Sequence, residues 1–192
     1  MDDAIDARLR AGMLLFWEVP DVLSAAECSE LMARIDAGGP TAAPVTTSKG
    51  MVMRPDIRNN ERVMFDDAAL ATSLFLRVKS TVPLKVLKRA PIGANERLRC
   101  YRYRPGQRFA PHFDGSFRRS DTEESELTLI VYLNDDFEGG DTAFLDFTHR
   151  VRPKRGSALL FFHRLLHEGC TVVSGTKYVV RSDVMYRGPP GR

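Results

Sequence analysis

Arg99-Cys100-Tyr101-Arg102-Tyr103-Arg104-Pro105-Gly106-Gln107-Arg108-Phe109-Ala110-Pro111-His112-Phe113-Asp114 reads as a strand, a Pro-Gly turn and a second short strand ending in His-x-Asp. Residues two apart on a strand point to the same face. His112 and Asp114 can therefore aim an imidazole nitrogen and a carboxylate oxygen at one point. A third ligand is offered by His167, in His167-Glu168-Gly169. Two histidines and one carboxylate on one side of a metal leave its other positions open, a set that suits ferrous iron in oxygenases. Alone, His-x-acid is a weak motif, so the weight falls on what surrounds it.

Composition sets the frame. A chain of 192 residues, 43% hydrophobic and 28% charged, has the length and the apolar content for one globular domain with a substantial core. A formal charge of +3 is too mild to argue for nucleic-acid binding. Cys28, Cys100 and Cys170 are odd in number and widely spaced, which fits neither a disulfide framework nor a zinc site and favours a reducing compartment. Met13 to Val19 is apolar but too short to span a bilayer, and acidic residues precede it, so no membrane span or secretion signal is expected. These features together predict a cytoplasmic protein.

From the N-terminal side, Met13–Val19 reads as a strand stopped by Pro20. Ser24-Ala-Ala-Glu27 is a capping box, and the helix behind it carries Cys28, Leu31, Met32 and Ile35 at helical spacing until Gly38-Gly39-Pro40. Residues 40–62 show no hydrophobic period and read as a long loop. A loop of that length in a compact domain is commonly a lid, and residues 46–62, with Arg54, Arg58, Asn59, Asn60 and Arg62, are expected either to close over the His112/Asp114 face and grip the substrate backbone or an anionic group, or to form a surface connection far from it. A second helix begins near Asp66 or Asp67 with Leu70, Leu74 and Val78 on one face. From Glu96 short β runs follow at 97–103, 109–113, 126–133, 142–147, 157–162, 170–173 and 177–186. Such close succession argues for a sandwich or jelly roll. Glu123, Glu124 and Glu126 read as a solvated loop.

The chain resembles the iron(II)- and 2-oxoglutarate-dependent dioxygenases of the prolyl 4-hydroxylase type. The matching pieces are Tyr103-x-Pro-Gly-Gln-x-Phe-x-Pro-His112-x-Asp114, Leu127-Thr-Leu-Ile-Val-Tyr132-Leu-Asn134, Gly139-Gly-Asp-Thr142 and His167-x-Gly…Gly175-x-Lys177, in the family's order from about Leu98 to Arg187. The resemblance implies a mainly β fold, a double-stranded β-helix (jelly roll) with N-terminal helices packed on the major sheet. It implies one domain over 1–192, with residues 1–95 as helical support and 96–188 as the catalytic core. It also implies Fe(II), 2-oxoglutarate and O2 as cofactors, with ascorbate as a reductant.

On that resemblance His112, Asp114 and His167 would ligate the iron. His163 is the rival third ligand but lacks the downstream Gly-x-Lys spacing. Lys177 would pair with the far carboxylate of 2-oxoglutarate, alone or with Arg181, which parity puts on the same face. Asp183 stands where related enzymes often carry Trp. Tyr103 and Tyr132 would line the keto-acid pocket, and Thr128, sharing the face of Tyr132, joins that wall. The implied reaction is hydroxylation of a C–H bond, in a peptide, protein or small molecule, with a prolyl side chain leading. The same cofactors serve nucleic-acid demethylases, whose paired arginines Arg181 and Arg187 superficially match. A non-catalytic metal-binding jelly roll is the rival outside enzymes.

Overall fold

The computed structural model describes residues 14–47 and 50–189. Met13 of the expected first strand, the acidic residues before it, and Ser48 and Lys49 of the expected loop lie outside the described residues.

The protein is mostly β. Among the described residues sixteen strands are formed: β1 (Phe16–Val19), β2 (Thr41–Ala42), β3 (Val45–Thr47), β4 (Gly50–Val52), β5 (Glu61–Asp66), β6 (Ala90–Ala94), β7 (Arg97–Tyr103), β8 (Phe109–His112), β9 (Glu123–Tyr132), β10 (Glu138–Gly139), β11 (Thr142–Phe144), β12 (His149–Val151), β13 (Ala158–Phe162), β14 (His167–Gly169), β15 (Val172–Ser174) and β16 (Lys177–Arg187). The larger sheet runs β1-β13-β9-β16-β7-β5-β2, with β6 also on β16. The smaller runs β12-β11-β14-β8. All of these pairings are antiparallel.

Alternation explains the larger sheet. On β9, Leu127, Leu129 and Val131 point one way and Thr128, Ile130 and Tyr132 the other. β13 is Ala-Leu-Leu-Phe-Phe and buried on both faces, the pattern of a strand with a layer on each side. Helix α1 (Ala25–Ala37) starts with the expected capping box: Glu27 N–H donates to Ser24 Oγ at 3.2 Å and Ser24 N–H to Glu27 Oε2 at 2.8 Å. Helix α2 (Ala68–Val78) is capped by Asp67, whose carboxylate accepts from Leu70 N–H. Both helices contact β7, and α2 also contacts β6. Their Cys28, Leu31, Ile35, Leu74 and Val78 join the core with Leu98 and Cys100 of β7.

Two expectations change. Residues 40–62 are not one loop. They hold the β3–β4 hairpin, the β2 edge and the start of β5. These strands are two or three residues long and mostly exposed, so they carry no hydrophobic period to read. Glu123, Glu124 and Glu126 are in β9, held by Arg187 and Arg89. Their side chains pair across the sheet, which a run of charges in sequence does not disclose. Among the described residues no helix is long and apolar enough to cross a membrane.

Candidate metal centre and cavity

The smaller sheet sets the histidines side by side. His167 on β14 is the cross-strand partner of His112 on β8, and Phe144 on β11 is the partner of His167. The two imidazole centroids lie 4.2 Å apart. Each ring is turned by the same device: Nδ1–H donates to the carbonyl two residues back, Ala110 O at 2.8 Å for His112 and Leu165 O at 2.9 Å for His167. That fixes the tautomer and frees both Nε2 lone pairs. Asp114 completes the group, with Oδ1 3.7 Å from His112 Nε2 and Oδ2 3.6 Å from His167 Nε2. One ligand atom from each residue lies within 4.8 Å of the other two.

Electrostatics put all three in the state a metal needs. Burial pushes the His112 pKa down to about 3, and burial lowers that of His167 too, so both rings are neutral. Burial alone would raise Asp114, but Arg181 beside it, then the two histidines, hold it below the usual carboxylate range. The Phe109 ring stacks on His112 at 3.5 Å between centroids, closing one side.

Behind Asp114 runs a hydrogen-bond relay whose polarity can be worked out. Asp114 Oδ2 can only accept, so Thr128 Oγ spends its one proton on it, at 2.7 Å. The 2.9 Å contact between Thr128 Oγ and His163 Nδ1 must then be donated by the ring. Burial keeps His163 neutral, so its Nε2 accepts from Ser125 Oγ–H at 2.8 Å, and Ser125 Oγ in turn accepts from Phe117 N–H at 2.8 Å. His163 N–H bonds back to Glu126 O, and its carbonyl accepts from Asp114 N–H at 3.0 Å. His163 therefore holds Asp114 from behind and does not converge with the other two histidines.

The cavity in front of the triad holds about 450 Å³ of space between atoms, the open solvent at its mouth included. Its inner wall carries Lys177, Tyr103, Tyr132 and Thr142. Lys177 is 4% exposed. Its Nζ donates to Gly140 O at 2.5 Å and lies 5.3 and 5.5 Å from the Tyr103 and Tyr132 ring centroids. Among the described residues no carboxylate forms a salt bridge with it. Burial pushes its pKa down to about 8. A buried ammonium lacking an anion is costly and fits a pocket for one. Tyr132 Oη shares a hydrogen bond with Thr142 Oγ1 at 2.8 Å. Burial raises the phenols of Tyr132 and Tyr103, the latter to about 12, so both stay protonated donors.

Arg181 lines the same cavity nearer the triad, with Nη1 2.9 Å from Asp114 Oδ1 and Nη2 3.3 Å from Asp183 Oδ1. Thr128 does not line the cavity; it bonds Asp114. The sequence reading gave no role to Thr142 or Tyr101. Arg58, expected in the lid over the His112/Asp114 face, is buried, its guanidinium 4.4 Å from the Tyr101 centroid and 4.2 Å from that of Phe109. Thr142 sits in the quoted Gly139-Gly-Asp-Thr142 piece, so its place was marked. Tyr101 shares the face of Tyr103 by alternation, a signal that could have found it.

Residues 98–182 match the family model of the 2OG-Fe(II) oxygenase superfamily. Prolyl 4-hydroxylase 1 of Arabidopsis thaliana is 28% identical over 185 residues, covering 82% of this chain and 64% of that one. The chain spans 51% to 64% of the length of three such Arabidopsis relatives. The viral collagen prolyl hydroxylase of Paramecium Bursaria Chlorella virus-1 superposes with a TM-score of 0.64 at 21% identity, covering 91% of this chain and 97% of that one. A prolyl hydroxylase from Trichoplax adhaerens, in complex with a hypoxia inducible factor peptide fragment, gives 0.67 at 15% identity over 94% and 88%. The likeness at this low identity is one of fold, and the sequence matches fall on the strands that carry the triad and Lys177. Residues 98–182 are a 2OG-Fe(II) oxygenase domain, and the chain is prolyl 4-hydroxylase-like.

Proposed function

We propose that this protein is an Fe(II)- and 2-oxoglutarate-dependent dioxygenase that hydroxylates an unactivated C–H bond while 2-oxoglutarate is decarboxylated to succinate and CO2. One observation carries it: a His112-Asp114-His167 set with freed Nε2 atoms opens into the same cavity as a buried lysine without an anion. The residues fit both groups. His112, Asp114 and His167 would hold the iron, and Lys177 with the Tyr132 hydroxyl would take the far carboxylate of the keto acid. Iron, when bound, supplies the oxygen chemistry that no side chain can. The protein's own part is to orient the keto acid between Lys177 and the triad, to keep both histidines neutral, and to exclude water with Phe109, Tyr103 and Tyr132. Arg181, tied to Asp114 and Asp183, is less free than Lys177 to take the far carboxylate.

The two sheets are taken as a double-stranded β-helix with the helices supporting the larger one, in a single domain with its core at 96–188. A prolyl side chain in a peptide is the leading target, supported by the names of the relatives. Ascorbate as reductant and a cytoplasmic location complete the proposal, the latter supported by three free thiols. The demethylase reading is weakened because Arg187 is exposed and bonds Glu123, while Arg181 lies inside, so the two do not converge.

The test is succinate release from Fe(II)-loaded protein given 2-oxoglutarate, with a peptide library scanned for a gain of one oxygen. His167→Ala should abolish both the release and Mn(II) binding. Metal binding without keto-acid consumption would leave a non-catalytic jelly roll. Full activity in His167→Ala would undo the ligand set.

A further inference from the structure

Tyr101 and Arg181 line the cavity, and the arginines gathered around Tyr101 are, Arg181 apart, used by neither the triad nor the keto-acid pocket. In the larger sheet Arg62 on β5 is the partner of Tyr101 on β7, and Arg99 on β7 is the partner of Arg181 on β16. Partners share a face, as do residues two apart. Arg62, Tyr101, Arg99 and Arg181 therefore stand on the face that also bears Lys177. Arg58 reaches the same phenol from the segment before β5.

Four guanidinium groups thus meet around Tyr101, and their charges are not balanced. Asp183 accepts from Arg99 at 2.9 Å and from Arg181 at 3.3 Å, and Asp114 pairs with Arg181. Arg58 donates to the Asn60 amide oxygen at 2.8 Å and stacks on the Tyr101 ring. Arg62 sits beside the Tyr101 phenol, with Nη2 4.0 Å from Met51 Sδ. Among the described residues neither Arg58 nor Arg62 has a salt bridge. Asp114 would also be shared with the metal. Arg181 Nε is buried with no hydrogen-bond partner. Burial would raise the Tyr101 pKa, but Arg58, Arg181 and Arg99 pull it below its ordinary value. Burial lowers the Arg62 pKa, as do Arg58 and Arg99, against the pull of Tyr101. Gathering like charges in a half-buried cluster is costly, and a bound anion would relieve it. On the reading above Lys177 serves the far carboxylate of the keto acid, so this second basic site is left for another ligand.

We propose that the arginine cluster around Tyr101, beside the cavity, is the substrate subsite and that it takes a carboxylate, so that the molecule hydroxylated is an acid. The acid is either a free carboxylic acid or an acidic residue beside the target in a peptide. The proposal rests on the dioxygenase reading above and deepens it.

Matched pairs would test it: free and N-acetyl amino acids against their amides, and proline-containing peptides with glutamate against the same peptides with glutamine. Each is scored by stimulation of succinate release from the Fe(II)- and 2-oxoglutarate-loaded protein. The acid of a pair should stimulate about 10-fold more than its amide, the scale of one charge-assisted contact. Preference confined to free acids assigns a small molecule, and preference among peptides assigns an acidic peptide. The Mn(II)- and 2-oxoglutarate-loaded protein, which does not turn over, gives a second readout by calorimetry. Arg62→Gln should weaken the best acid about 10-fold, and Arg62→Lys, which keeps the charge, should recover most of it. Acids no better than amides, or a preference unchanged in Arg62→Gln, would overturn the subsite. Succinate release separates the two readings: its absence with every compound offered sinks the dioxygenase, whereas its presence with no acid preference sinks only the subsite.

Discussion

Asp114 shows how much of a candidate ligand's behaviour is set by groups that never face the metal. Thr128 and Arg181 each take one of its oxygens, and His163 orients Thr128. Thr128→Val should therefore weaken Mn(II) binding about 10- to 100-fold, the usual cost of losing a partner behind a ligand, while Ser125→Ala, one bond further back, should cost less. Equal Mn(II) titrations for wild type and Thr128→Val would refute the relay. Lys177 gives a pH prediction. Its pKa in the free pocket is depressed to about 8 by burial, and the protonated ammonium is the form that binds a carboxylate. Below that value the site already holds the proton; above it, binding must take one up. Keto-acid affinity should be flat below about pH 8 and fall about tenfold per unit above it. Lys177→Arg, always protonated, should remove the slope. The triad could be read from sequence because two ligands are two apart and the third begins a spaced Gly-x-Lys run. The stacking of Arg58 on Tyr101 and Phe109 could not, because it depends on strand register.

At the scale of elements, the turn between β10 and β11 is a support for the pocket. Gly140 sits at φ +68°, and a Cβ there would lie 2.9 Å from the Phe137 ring and 3.2 Å from Lys177 Cδ. Its carbonyl also holds Lys177 Nζ. Gly140→Ala should cost roughly 1–2 kcal/mol of stability from the backbone alone and weaken 2-oxoglutarate binding as well. Ser24→Ala, which removes the cap of α1, should cost about 1 kcal/mol in a melt and leave keto-acid affinity unchanged. A Gly140→Ala protein with wild-type keto-acid affinity would detach the turn from the pocket. The helices, β7 and β16 were legible because capping, period and alternation agreed along them. β3, β4 and β10 were not: each is two or three residues long and mostly exposed, too short for an alternation to show.

For the whole molecule, the expected lid divides into two parts. Residues 54–60 are stitched to the triad side: Ala110 N–H donates to Ile57 O at 2.8 Å, Arg108 N–H to Asn59 Oδ1 at 2.7 Å, and Arg58 packs between Tyr101 and Phe109. The β3–β4 hairpin is exposed and pairs with no other sheet. In hydrogen exchange on anaerobic protein, 54–60 should be protected from the start, and β3–β4 should gain protection only with substrate. Unchanged exchange in the hairpin would reduce it to a connector. The longest strand, β16, has a further consequence. It carries Lys177 and Arg181 on one face with one position of that face, Val179, between them, and it pairs with β7 along that stretch and with β9 from Val179 onward. Neither residue can slide without breaking these ladders. On the proposed reading Lys177 would hold the far carboxylate and Arg181, through Asp114, would fix the metal end, so the strand is a rigid ruler for the carbon count of the keto diacid. A homologue one carbon shorter would leave its far carboxylate short of Lys177, and one carbon longer would have to buckle, so both should compete poorly with 2-oxoglutarate.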